Sequence, residues 1–130
     1  MKFDRLVYTE AWPGGGGFAR SMTVDFELGE ITVDSACGGV RWCRLGTHER
    51  SAVDAKLSSS RPEEWAERYA ASVLRDGIDW TLRLFDGGAL VKTSRGTNGF
   101  PPADQWDAFR LLTDFCFTVT RRYGAPPEAR

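Results

Sequence analysis

Ile78-Asp79-Trp80-Thr81-Leu82-Arg83-Leu84-Phe85-Asp86-Gly87-Gly88-Ala89-Leu90-Val91-Lys92-Thr93-Ser94-Arg95 is the stretch on which the fold turns. Ile78, Trp80, Leu82 and Leu84 recur at every second position, the period of a strand with one buried face. Asp86-Gly87-Gly88 provides positions that tolerate positive φ, so residues 89–95 are expected to return beside the first strand as a tight hairpin. Beyond it, Gly96-Thr97-Asn98-Gly99-Phe100-Pro101-Pro102 reads as a shaped strand-to-helix connector. Asn98-Gly99 favours positive φ, and Phe100 is placed to staple strand to helix. Trp106, Phe109, Leu112, Cys116, Val119 and Tyr123 then recur at intervals of one helical turn, with Phe115 beside them. Gly124 and Pro126-Pro127 end that helix, and the tail 124–130 is expected to fray.

Upstream, Ser60-Arg61-Pro62-Glu63 has the spacing of a capping box with proline in the first turn, and Trp65, Tyr69 and Val73 follow one turn apart. The pattern predicts a helix from Ser60 to about Gly77. The first half, 1–58, reads as strands. Phe3 to Thr9 puts Leu6 and Tyr8 on one face, and Met22, Val24, Phe26 and Leu28 alternate with polar residues. Gly29-Glu30 turns into Ile31-Thr32-Val33, and Val40 and Trp42 share a face of the next strand. His48 to Leu57 is a weaker strand, with Val53, Ala55 and Leu57 alternating. The order strands, helix, hairpin, helix points to one α+β domain over 1–130. We expect a mostly antiparallel sheet of about five to seven strands with two helices packed on one face.

A chain of 130 residues with 42% hydrophobic and 27% charged positions buries enough surface to fold alone. The net charge of -1 argues against a dominant phosphate-tracking surface. No apolar run approaches the length of a membrane span, and residues 1–5 lack the apolar core of a signal peptide, so a cytoplasmic location is expected. Cys37, Cys43 and Cys116 form no C-x-x-C pair and are expected to be reduced thiols.

Chemistry leaves few traces. The run Pro13-Gly14-Gly15-Gly16-Gly17-Phe18 could surround an anion, but no Gly-Lys-Ser/Thr opens a helix behind it, so it reads as a hairpin connector. His48 is the sole histidine, with Cys37, Cys43, Asp34 and Asp54 near it in sequence alone. With one histidine and scattered cysteines, no zinc-ligand spacing is present, and no metal or cofactor is expected. Asp25, Glu27 and Glu30 read as the wet face of a hairpin. Arg83, Lys92 and Arg95 decorate the second hairpin, while Arg121 and Arg122 suit the negative end of the last helix.

Residues 60 to 115 resemble a pattern in small, poorly characterised bacterial and phage proteins. There, a helix with spaced aromatics (here Trp65 and Tyr69) precedes Asp76-Gly77-Ile78-Asp79-Trp80-Thr81-Leu82, a glycine turn, Gly96-Thr97-Asn98-Gly99-Phe100-Pro101 and Trp106-Asp107-Ala108-Phe109. The resemblance implies a prokaryotic or phage origin and carries no catalytic residue across. Since no nucleophile–base pair is apparent, the expected role is non-enzymatic. A protein-binding domain that occludes a partner, in the manner of an immunity protein, antitoxin or anti-defence inhibitor, fits best. Its partner-binding candidates are Trp12, Phe18, Arg95, Asn98 and Phe100, aromatic and polar residues in or beside glycine-rich loops. The alternatives are a subunit or homodimer closing through a sheet edge, and a single-stranded nucleic-acid binder.

Overall fold

The computed structural model describes residues 2–13, 16–70 and 78–129. Its elements run β1 (Arg5–Ala11), β2 (Phe18–Asp25), β3 (Glu30–Ser35), β4 (Gly39–Arg44), α1 (Thr47–Ser60), β5 (Arg68–Ala70), β6 (Asp79–Asp86), β7 (Ala89–Thr97) and α2 (Ala103–Tyr123). The seven strands form one sheet in the order β4-β3-β2-β1-β6-β7-β5, with β1 at its centre. Every pairing is antiparallel except the short β5, which runs parallel to β7. The expected mostly antiparallel α+β architecture with two helices is what forms.

Alternation sorts each strand into two faces. Leu6 and Tyr8 of β1, Met22 and Val24 of β2, Ile31 and Val33 of β3, Cys43 of β4 and Trp80, Leu82 and Leu84 of β6 are all buried on one face. Against them α2 lays Phe109, Leu112, Cys116 and Phe117. Helix α1 packs beside α2, with Lys56 over the Phe115 ring at 4.9 Å and Val53 buried near Val24 and Leu45. Neither helix packs on the opposite face, whose β4 margin the tail reaches: the Trp42 indole N–H donates to the Pro126 carbonyl at 3.3 Å. Trp80 is buried and its ring centroid lies 5.1 Å from that of Trp106, so the hairpin is roofed by the terminal helix as its sequence pattern demands.

Four expectations need correction. Residues 48–57 form a helix, not a strand: within α1 the more buried positions Val53, Lys56, Leu57 and Ser60 are spaced by helical turns. The alternation of Val53, Ala55 and Leu57 was coincidental to that spacing. The helix predicted from Ser60 does not start there. Ser60 instead ends α1, its hydroxyl donating to the Leu57 carbonyl at 2.8 Å, and Arg61 turns the chain with φ of 45° before Pro62. A residue preceding proline is pushed away from helical geometry, so the same letters that read as a start act as a stop. Residues 62–64 form a single 3₁₀ turn and 68–70 are β5; the predicted helix end at Asp76-Gly77 lies outside the described residues.

Third, β2 ends at Asp25, whose carboxylate accepts the Leu28 N–H at 2.9 Å, and Leu28 is exposed in the turn rather than continuing the strand. Fourth, the tail is tied at its start. The Ala125 N–H donates to the Trp42 carbonyl at 2.9 Å and the Trp42 N–H donates to the Ala125 carbonyl at 3.0 Å, adding one residue to the free edge of β4.

Candidate functional site at the loop end of the sheet

Strand register brings distant segments together at one end of the sheet. Phe18, Ala11, Asp79, Thr97 and Ala70 form a continuous cross-strand row over β2, β1, β6, β7 and β5. With strands about 4.8 Å apart, that row spans roughly 19 Å. Immediately past it come Trp12, at the start of the β1–β2 connection, and Asn98 to Phe100, leading toward α2. The five residues singled out in the sequence therefore separate into two groups. Trp12, Phe18, Asn98 and Phe100 gather at this end, whereas Arg95 sits two residues back on the uncovered face of β7.

The aromatic members are exposed by 54% (Trp12), 41% (Phe18) and 37% (Phe100), enough to seat in a partner without unfolding this chain. Their bases are held. The Trp12 N–H donates to the Gly17 carbonyl at 2.8 Å, closing the mouth of the glycine loop. Gly14 and Gly15, central to the anion-cradle reading of that loop, lie outside the described residues.

The connector is shaped by its neighbours. Asn98 has φ of 54°, and its N–H points to the Ile78 carbonyl at 3.4 Å. The Trp80 indole N–H donates to the Gly99 carbonyl at 2.9 Å. A Cβ on Gly99 would meet the Ala70 backbone nitrogen at 2.6 Å, so only glycine lets the connector lie against β5. Phe100 then rests on Trp106, ring centroids 4.9 Å apart, as the top of an aromatic stack. Below it Trp65, Trp80, Tyr8 and Phe109 meet mainly edge to face, which makes the base of the site dense and unyielding.

A group invisible as a site in the sequence braces this end from inside. Glu10, on the buried face of β1, accepts from the Tyr8 hydroxyl at 2.8 Å and from Arg20 Nε at 2.7 Å, with Arg110 of α2 at 3.4 Å. Arg20 also lies over the Phe117 ring at 4.6 Å. Burial pushes the Tyr8 phenol far above its ordinary range, and the neighbouring Glu10 charge and its hydrogen bond push the same way. The cluster ties β1, β2 and α2 together beneath Trp12 and Phe18. Its one sequence signal was a glutamate continuing the Leu6–Tyr8 face, an acid where the alternation calls for an apolar side chain.

On the uncovered face, Thr9, Ala11, Asp79, Thr81, Arg95 and Thr97 line a shallow hollow of about 160 Å³. Hydroxyls, one carboxylate and one guanidinium meet there. His48 and Cys37, the residues of most chemical interest in the sequence, lie beyond opposite ends of β4, a strand of 6 residues that runs roughly 20 Å. Cys43 and Cys116 are buried, with the Cys43 sulfur 3.5 Å from the Thr120 hydroxyl. No group of three or more potential metal ligands is assembled among the described residues, and none of their helices is long and apolar enough to cross a membrane. Compared with known proteins, the chain matches no family model, no curated protein and no solved structure.

Proposed function

We propose that this chain is a non-catalytic protein-binding domain that acts by covering a partner's surface, as immunity proteins, antitoxins and anti-defence inhibitors do. One observation carries the reading: Trp12, Phe18 and Phe100, from connections far apart in sequence, are exposed together at one end of a rigid sheet. Exposed aromatics on a preorganised base are the usual anchors of protein interfaces, since they bring large area with few rotatable bonds. The hydrogen-bonded connector and the aromatic stack beneath Phe100 supply that preorganisation.

The sheet edges favour this reading over edge-to-edge pairing. At one edge, β4 is already paired with Ala125 through Trp42; at the other, β5 is three residues long. The unpaired thiols of Cys37, Cys43 and Cys116 suit a reducing compartment such as the cytoplasm.

The test is affinity capture from the native cell with the wild-type chain and with Trp12→Ala/Phe100→Ala. A stoichiometric protein partner held by the wild type and released at least tenfold more readily by the double variant is expected, each anchor contributing about 1–2 kcal/mol. Unfolding curves should show the variant still folded. A partner retained equally by both chains, or no stoichiometric partner at all, overturns the proposal.

A further inference from the structure

The uncovered face of the sheet carries two charge fields of opposite sign. On the half built from β6, β7 and β5, the outward residues include Arg83, Arg95 and Arg68 against Asp79 alone, with Arg5 on the central β1. On the half built from β2, β3 and β4 they are Asp25 and Asp34, while Glu30 on the same face is buried and held by Arg44 in a 2.9 Å salt bridge. Arg68, Arg83 and Arg95 are exposed and stand in no salt bridge among the described residues, nor does Asp34. Between the charges, Thr9, Thr23, Thr32, Thr81, Thr93 and Ser21 are short side chains, most of them β-branched, that lose little freedom on contact, with the larger Trp42, Val40 and Phe85 toward the margins.

We infer that this face docks against the same face of a second copy of the chain, forming a two-fold sheet-on-sheet dimer. The argument is one of symmetry. Strand β1 lies at the centre of the sheet, with three strands on either side. A two-fold axis lying between two facing sheets and running near β1 sets β3 of one copy over β7 of the other, and β2 over β6. Asp34 and Arg95 belong to one cross-strand row, through Ser21, Thr9 and Thr81. The operation therefore places Asp34 of each copy opposite Arg95 of its mate, twice in the interface. An axis perpendicular to the strands would instead set like charges on like. Twisted sheets pack with strands about 30° apart, so the axis is tilted roughly 15° from β1 and sets Asp34 about 5 Å along the strand from Arg95 of the mate, a gap that the long arginine side chain spans.

The size is adequate. Six strand spacings of about 4.8 Å by about six residues of 3.4 Å give a footprint near 600 Å² per copy, or roughly 1,200 Å² in total, the lower end of the range for specific dimers. Outward β1 residues meet their own symmetry mates: Val7 provides an apolar centre, and Arg5, at the end of the strand, keeps its guanidinium over its own Phe85 ring at 4.4 Å. This inference does not rest on the proposed partner site: Phe18 ends a cross-strand row of this face, whereas Trp12 and Phe100 lie beyond the strands.

Sedimentation of the full chain in low salt tests it. The wild type is expected at twice 14.5 kDa and to dissociate as salt is raised. Arg95→Glu or Asp34→Arg alone sets like charges opposite each other at two places, and each should weaken association about 10- to 100-fold. The double swap Asp34→Arg/Arg95→Glu in one chain restores complementarity and should restore the dimer, a rescue that a merely destabilised variant would not show. Circular dichroism of each variant fixes that it is folded. A monomeric wild type at low salt overturns the inference, as does a dimer that ignores the single reversals or a double swap that fails to reassociate. Salt-dependent binding of a single-stranded oligonucleotide by a chain that stays monomeric would also overturn it and give the basic half to a polyanion.

Discussion

Replacing Gly96 by alanine would drive a methyl group into the joint between sheet and connector. A Cβ there falls 2.2 Å from the Trp80 indole nitrogen and 2.2 Å from the Gly99 carbonyl oxygen, which are the two ends of a 2.9 Å hydrogen bond. Neither end can retreat easily: Trp80 is 2% exposed within the aromatic cluster, and Gly99 is pressed against the β5 backbone. Overpacking of this kind costs about 1–3 kcal/mol. A buried indole N–H left without its acceptor costs about 1–3 kcal/mol more. Gly96 is not held at positive φ, so alanine also narrows the unfolded ensemble and returns about 0.4–1 kcal/mol. The balance is a loss of roughly 3 kcal/mol, readable as a lower urea midpoint followed by tryptophan fluorescence. Trp80→Phe removes the indole nitrogen, so Gly96→Ala should be less damaging in that background, with a coupling of about 1–2 kcal/mol. The reasoning is refuted if Gly96→Ala changes stability by less than about 0.5 kcal/mol, or if the two substitutions add independently.

Two further outcomes follow from the buried polar groups. Burial, reinforced by the nearby Cys43, raises the Cys116 thiol from 9.0 to about 12. Below pH 9 both states keep the proton. From pH 9 upward the unfolded chain releases it while the folded chain holds it, so stability should fall by about 1.4 kcal/mol per pH unit. Tyr8 adds to the loss at higher pH, with the same sign. Urea midpoints measured between pH 8 and 10 should lose the earlier part of this slope in Cys116→Ala; an identical slope in both chains would contradict it. Glu10→Ala leaves Arg20 and Arg110 without their carboxylate, and the fractional exposures of 23% and 42% allow water to offset part of the loss, leaving about 2–3 kcal/mol in the same assay. A change below 0.5 kcal/mol would mean that the cluster does not brace the loop end.

The back half of the chain was readable because local and tertiary signals coincide there. Ile78 to Leu84, the Gly87-Gly88 turn and the stripe from Trp106 onward each obey one period, and all three serve the same core. The segment 48–70 was misread for the opposite reason. Its local signals are weak: α1 has just two fully buried positions, Val53 and Ser60, so its helical period is faint against a chance alternation. Ser60-Arg61-Pro62 suits a helix start or stop equally, and the choice is made by Trp65, whose indole N–H reaches back to the Ser60 carbonyl at 2.9 Å from a buried position. The aromatic candidates in the loops were nameable as residues. That Trp12, Phe18 and Phe100 share one end required the register of four strands. Glu10 with its arginines was hidden because its partners lie 10 and 100 positions away.

By itself, the order of residues determined what repeats locally: the periods of the paired strands and the last helix, and the glycines where turns demand them. Tertiary structure decided everything that depends on juxtaposition. It settled that β1 lies between the two hairpins, that both helices share one side, and that charges scattered along the chain divide the open face into two fields. The physical reason is range. Turn chemistry and alternation act over a few residues, whereas strand order and charge pairing arise from burial and electrostatics between groups that only the folded chain brings within reach.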